Sequence, residues 1–115
     1  MQSKKVIFCD IDQTICWTPC IAGENLYHDC MPWKNKIKVI NALYKAGHTV
    51  IYWTARGSSS GKDWYEFTKT QLDSWSCLYH DLKMGKPTFD LVIDDKALAS
   101  LSASHAFELG LLELE

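Results

Sequence analysis

The residues best suited to chemistry stand at the ends of apolar runs. "IFCDIDQTIC", residues 7–16, carries Asp10 and Asp12 one residue apart, and Thr14 follows two positions later. "VIYWTAR" ends in Thr54 and Arg56, and "FDLVIDD" ends in Asp94 and Asp95. Lys86 lies in the "GKP" turn before that last run. Residues two apart on a strand point to the same side, so Asp10 and Asp12 can reach one ligand together. Carboxylates gathered without a partner repel each other, and a divalent cation relieves that repulsion. Oxygen donors with few nitrogens or thiolates suit Mg²⁺, which keeps waters and binds a substrate phosphate. The hydroxyl of Thr54 and the charges of Arg56 and Lys86 suit a phosphate dianion. A nucleophile, a metal and positive charge on the equatorial oxygens are the parts that phosphoryl transfer needs.

Those groups need strands to carry them. "KKVIFCDI" is apolar on both faces, as in a strand buried within a parallel sheet. "MPWKNKIKVINALYKAG" predicts an amphipathic helix, with Pro32 in its first turn and Gly47 just past its end. Trp33, Ile37, Ile40 and Tyr44 form its apolar face, and its lysines form the solvated side. "HTVIYWTA" is β-branched and aromatic, which predicts a second strand, and "RGSSSG" a loop. "KDWYEFTKTQLDSW" predicts a second helix; "CLYHDLKM" is ambiguous. "FDLVIDD" predicts a third strand, and "KALASLSASHAFELG" is weakly helical. Alternating strands and helices imply right-handed crossovers in an α/β fold. The expected architecture is one Rossmann-like domain over residues 1–115, its parallel sheet covered by helices on both faces. Ligands bind such sheets beyond the carboxyl ends of the strands, where all the groups above would meet.

The motifs resemble those of the haloacid dehalogenase superfamily of phosphohydrolases. "DIDQT", "TAR", "GKP" and "VIDD" follow its motif order across residues 6–95. More narrowly, "DIDQTI", "YWTARG" and "GKPTFDLVIDDKA" resemble small capless members linked to bacterial capsule and surface-polysaccharide synthesis. The resemblance implies Asp10 as the nucleophile, forming an aspartyl-phosphate. Asp12 would protonate the leaving oxygen and then activate water, while its main-chain carbonyl binds Mg²⁺. Thr54 and Arg56 would hold the transferred phosphoryl group, with Thr14 close by, and Lys86 would neutralise Asp10 and the phosphate. Lys83 and Lys96 are rivals for that last role. Asp95 would ligate the metal directly with Asp94 behind it, or the reverse. Members often carry glycine where this chain has Gln13, a residue that narrows the entrance or contacts substrate. The stretches Cys16–Met31 and Gly57–Gly61 are too short for a cap domain. An open site of this kind is often covered by a neighbouring copy, so a homo-oligomer is an expected partner.

Composition bounds the alternatives. The 115 residues carry a formal net charge of −2, with 47% hydrophobic and 23% charged residues. No basic field exists to hold a nucleic-acid backbone, which weighs against a polynucleotide 3′-phosphatase and leaves a small phosphorylated substrate. A phosphate-binding module without turnover is the non-enzymatic alternative. No apolar stretch approaches the ~20 residues of a membrane span, and the N-terminus does not read as a secretory signal. The expectation is a cytoplasmic protein that does not contact membrane. Five cysteines with irregular spacing argue against a disulfide framework. Cys16, Cys20, His28 and Cys30 offer a zinc-type donor set, against the alternative of reduced, partly buried thiols. Trp33 and Trp64 read as core anchors. Trp17 and Tyr27, just after the nucleophile strand, are candidates for a flap. Of the histidines, His80 alone falls near Lys86 in sequence.

Overall fold

A computed structural model describes residues 3–113. The chain opens with strand β1 (Val6–Cys9) and enters a folded excursion before its first helix. That excursion holds β2 (Cys16–Trp17), β3 (Cys20–Ile21), β4 (Glu24–Asn25), a 3₁₀ turn (Tyr27–Asp29) and β5 (Met31–Pro32). Helix α1 (Lys34–Lys45), strand β6 (Thr49–Trp53), helix α2 (Tyr65–Ser74), strand β7 (Asp81–Lys83) and helix α3 (Ala103–Glu108) complete it. Pro32 therefore lies in β5 rather than in a first helical turn.

The main sheet is parallel, with strand order β1-β6-β7. Val6 pairs with Thr49 and Cys9 with Tyr52; Ile51 pairs with Asp81 and Trp53 with Lys83. Paired residues of parallel strands share a face, and the faces alternate along each strand. Cys9, Val50, Tyr52 and Leu82 form one face and are buried. Ile37, Ile40 and Leu43 of α1, Leu72 of α2 and Ala106 of α3 join them in one core cluster. Each large aliphatic side chain so buried contributes about 1.5–3 kcal/mol.

The opposite face is much less covered. Val6 is 64% exposed and Phe8 50%, and Ile51 and Trp53 are half-buried. Phe8 and Trp53 stack edge to face across it, with ring centroids 5.6 Å apart. Helices on both faces were the expectation; instead the three helices share one core on one face. The reason lies after Lys86. Among the described residues the run "FDLVIDD" forms no strand, and the helix beyond it, α3, has six residues and joins the same core. The third strand is the short β7, from the segment whose sequence is ambiguous. The result is an α/β domain built on a small three-stranded parallel sheet. No helix among the described residues is long and apolar enough to cross a membrane.

Candidate active site

β1 ends at Cys9, and its direction carries Asp10 and Asp12 past the sheet edge. The chain then turns sharply: the amides of Thr14 and Ile15 both donate to the carbonyl of Ile11, at 3.1 and 3.0 Å. Gln13 occupies this turn at φ +63°, in the left-handed region that favours glycine. Its side-chain amide donates to the Thr18 carbonyl at 2.8 Å and so clamps the turn to the following excursion. Gln13 thus has a structural task, which its sequence position alone does not reveal.

The two aspartates have different surroundings. Asp12 receives Arg56 in two-pronged fashion, Nε to Oδ2 at 3.0 Å and Nη2 to Oδ1 at 2.9 Å. The hydroxyl of Thr18 donates to the same Oδ1. Arg56 itself is only 2% exposed. Its Nη1 donates to Gln71 Oε1 at 2.7 Å and Thr68 Oγ1 at 3.3 Å, and its Cζ lies 4.6 Å from the Tyr27 ring centroid. Burial disfavours the guanidinium charge, but the hydrogen bonds and charge of Asp12 outweigh it and raise the Arg56 pKa. The side chain read from sequence as a phosphate ligand is therefore engaged within the protein, holding Asp12 still.

Asp10 is freer. Thr14 Oγ1 donates to its Oδ2 at 3.3 Å, and Lys86 Nζ stands 3.4 Å from its Oδ1. Lys86 is held through its backbone: its amide donates to the Thr54 carbonyl at 3.1 Å and its carbonyl accepts from Ser58 Oγ at 2.8 Å. Its ammonium lies 5.4 Å from the centroid of the Phe89 ring and 5.8 Å from that of Trp53. Lys83, its rival, pairs loosely with Asp81 at 3.9 Å instead. Thr54 is buried, and its hydroxyl accepts the Arg56 amide at 3.1 Å. It is not among the residues that line the cleft above Asp10.

That cleft has a volume of about 510 Å³. Asp10 and Asp12 form its floor, the β3–β4 hairpin one wall, and Ser59, Ser60 and Lys62 another. Tyr27 lines it as the expected flap residue does; Trp17 is half exposed and does not line it. Gly57 shapes the serine wall. It sits at φ +84°, and a Cβ there would run into the Lys62 carbonyl oxygen. Gly57→Ala is accordingly expected to destabilise the protein by more than about 1 kcal/mol, read as a lower urea midpoint. An unchanged midpoint would mean that the loop refolds around the methyl group.

Other groups fall elsewhere. Asp94 and Asp95 are exposed and lie outside the cleft, so one chain does not bring its two acidic pairs together. The Asp94 carboxylate caps a local turn, accepting the Lys96 amide at 2.9 Å. The zinc-type set is also dispersed: Cys20 is exposed, and His28 packs on Trp64 and Phe67. Asp12, Cys16 and Cys30 do cluster. A cation there would meet Arg56, whose Nη2 touches both Asp12 and, at 3.6 Å, Cys30. Burial also pushes the Cys16 thiol up to about 12, and ligation needs the thiolate. His80 belongs to the sheet: its Nδ1 accepts the Val50 amide at 3.1 Å.

No protein-family model and no curated protein matches the chain. It is similar to a crystal structure of an MCSG target from Vibrio cholerae, with a TM-score of 0.73 and 21% identity. That likeness covers 93% of this chain and 96% of the other, so the two share a fold along nearly their whole lengths.

Proposed function

We propose that the protein is a phosphomonoester hydrolase of the haloacid dehalogenase type, with a Rossmann-like core and no cap. The observation that carries this is the contrast between its two aspartates. Asp10 presents a carboxylate to an open cleft beside the Lys86 ammonium, while Arg56 fixes Asp12 from below. One acid is placed to attack and the other to be held in position.

In the proposed reaction an oxygen of Asp10 bonds to phosphorus and the ester P–O bond breaks. The leaving oxygen takes, through Asp12 Oδ2, the proton that the substrate carries as its monoanion. A water then attacks the aspartyl-phosphate, passing its proton through Asp12 to the departing phosphate and freeing Asp10. Oδ2 of Asp12 carries one bond from Arg56 and keeps acceptor capacity for this exchange. Lys86 offsets the charge of the approaching phosphate, and Lys62 with the serine wall favours a small anionic substrate. A sugar phosphate of surface-polysaccharide synthesis fits this description.

Mg²⁺ would supply further charge at the phosphate and needs several oxygen donors. Asp10 and the Asp12 carbonyl are the donors one chain offers at this point. Asp12's carboxylate is engaged by Arg56, and Asp94 and Asp95 stand apart. This set is incomplete for Mg²⁺ until a further oxygen donor, from the substrate phosphate or another acid, joins it, and the response to EDTA tests whether one does.

Hydrolysis of p-nitrophenyl phosphate is expected in Mg²⁺ buffer, with loss in excess EDTA and recovery when Mg²⁺ is returned. Full activity in EDTA would remove the metal from the mechanism. Inactivity toward this ester and toward a panel of phosphorylated metabolites would remove the hydrolase.

A further inference from the structure

The cleft carries polar groups that the phosphoryl chemistry leaves unused. Asn25 and Tyr27 line it from β4 and from the 3₁₀ turn that follows. Ala22 and Gly23 turn the β3–β4 hairpin at φ +52° and +79°, the tight two-residue form, and set Cys20 opposite Asn25. Asn25 Nδ2 donates to the Tyr27 hydroxyl at 3.4 Å. Tyr27 is held at its other end as well: Gln71 Nε2 donates to its carbonyl at 2.9 Å, and the same Gln71 accepts from Arg56. This corner is therefore tied to the side chain that fixes Asp12.

Its groups select what they can bind. The Tyr27 ring already has the Arg56 guanidinium over it. Trp64 meets Tyr27, His28 and Phe67 at steep interplanar angles, with centroids 4.9, 5.8 and 5.3 Å away. These rings brace one another, whereas a nucleobase needs a free ring face to stack on. What the corner offers instead is hydrogen bonding. Among the described residues the Tyr27 O–H proton and Asn25 Oδ1 have no partner. A donor and an acceptor thus lie side by side on uncharged side chains. Neighbouring hydroxyls of a sugar ring each donate one proton and accept another, so a pair of them matches this set. An aryl group there would strip water from both atoms without replacing its hydrogen bonds.

The corner also stands where the alcohol half of an ester must go. Attacking and leaving oxygens lie in line across phosphorus, so the alcohol departs from the side away from Asp10. Asp12 serves its oxygen. Arg56, bonded to Asp12 at 2.9 and 3.0 Å, has its Cζ 4.6 Å from the Tyr27 ring centroid. We propose that Asn25 and Tyr27 form the subsite for the leaving alcohol, and that this alcohol is a monosaccharide whose ring turns two adjacent hydroxyls toward them. Its role as a leaving-group site rests on the phosphatase proposal; the hydroxyl subsite itself does not.

The test compares hexose 1-phosphates, hexose 6-phosphates and pentose 5-phosphates with p-nitrophenyl phosphate, which lacks the hydroxyl pair. Wild-type protein should turn over at least one sugar phosphate with a kcat/KM about tenfold or more above that of the aryl ester. Aryl-ester turnover with no sugar phosphate preferred would overturn the subsite and leave the hydrolase standing. Asn25→Ala, and Tyr27→Phe, which keeps the ring over Arg56, should each lower kcat/KM for the preferred sugar phosphate about tenfold more than for the aryl ester, with the loss in KM. Equal losses on both esters would overturn the subsite too. Calorimetric titration of the same sugar phosphates separates the two readings. Binding to wild-type protein that weakens about tenfold in Asn25→Ala, with no ester hydrolysed, would keep the subsite and overturn the hydrolase. Neither binding nor hydrolysis would overturn both.

Discussion

Asp10→Asn is expected to lower turnover of an aryl phosphate by about 10⁴-fold or more while leaving the fold intact. Asparagine keeps the shape of the side chain, and one of its atoms can still accept from Thr14. It lacks the anionic oxygen that bonds to phosphorus, and it loses the ion pair with Lys86. The side chain is 37% exposed, so the lost pair contributes little to stability. Rates and urea midpoints measured on the same preparation separate chemistry from folding. A variant with the wild-type rate would exclude Asp10 as the nucleophile. A variant that fails to fold would show that the pair with Lys86 holds the cleft together.

Arg56→Ala should have the largest effect on stability, a loss of about 3–5 kcal/mol. The substitution removes every contact of a side chain whose own exposure is 0%. Asp12 would keep its charge in a partly buried place with Thr18 as its remaining close donor, and Gln71 and Thr68 would lose a donor. A total stability of about 5–15 kcal/mol makes this a large fraction. Arg56→Lys should recover little, because an ammonium cannot make the two-pronged bond. Urea titrations of Arg56→Ala, Asp12→Ala and the double variant check it. The double variant should lose much less stability than the sum of the two single losses. Small, additive losses would show that the pair is a surface contact in effect.

Much of the layout was legible in the chain. The period of Ile37, Ile40 and Tyr44 announces α1, and the β-branched "TVIYW" announces β6, because periodicity reflects which side faces the core. β7 has three residues with charges at both ends, too few for a period to show. The same holds for the two-residue strands of 16–32, which register pairing defines more than residue preference. "FDLVIDD" misled for the opposite reason: its residues suit a strand, but a strand also needs a neighbour within reach. At the site, Asp10, Asp12 and Lys86 converge as their positions in the motifs suggest. Arg56 does not face outward as a charge usually does. The pairing that buries it uses Thr68 and Gln71, distant in sequence and carrying no motif.

The Arg56 network also has a consequence for how the sequence can change over generations. Asp12, Arg56 and Gln71 form a lock in which each partner is right only while the others are present. A single replacement passes through a poorly folded intermediate, whereas a joint replacement by apolar residues of similar volume need not. Homologues that keep Asp12 for catalysis are therefore expected to keep Arg56 and Gln71 with it, and mixed sets should be rare. The Gln13 turn beside them is under no such bond: glycine there would relax the backbone and lose one hydrogen bond, a change that lineages can cross in either direction.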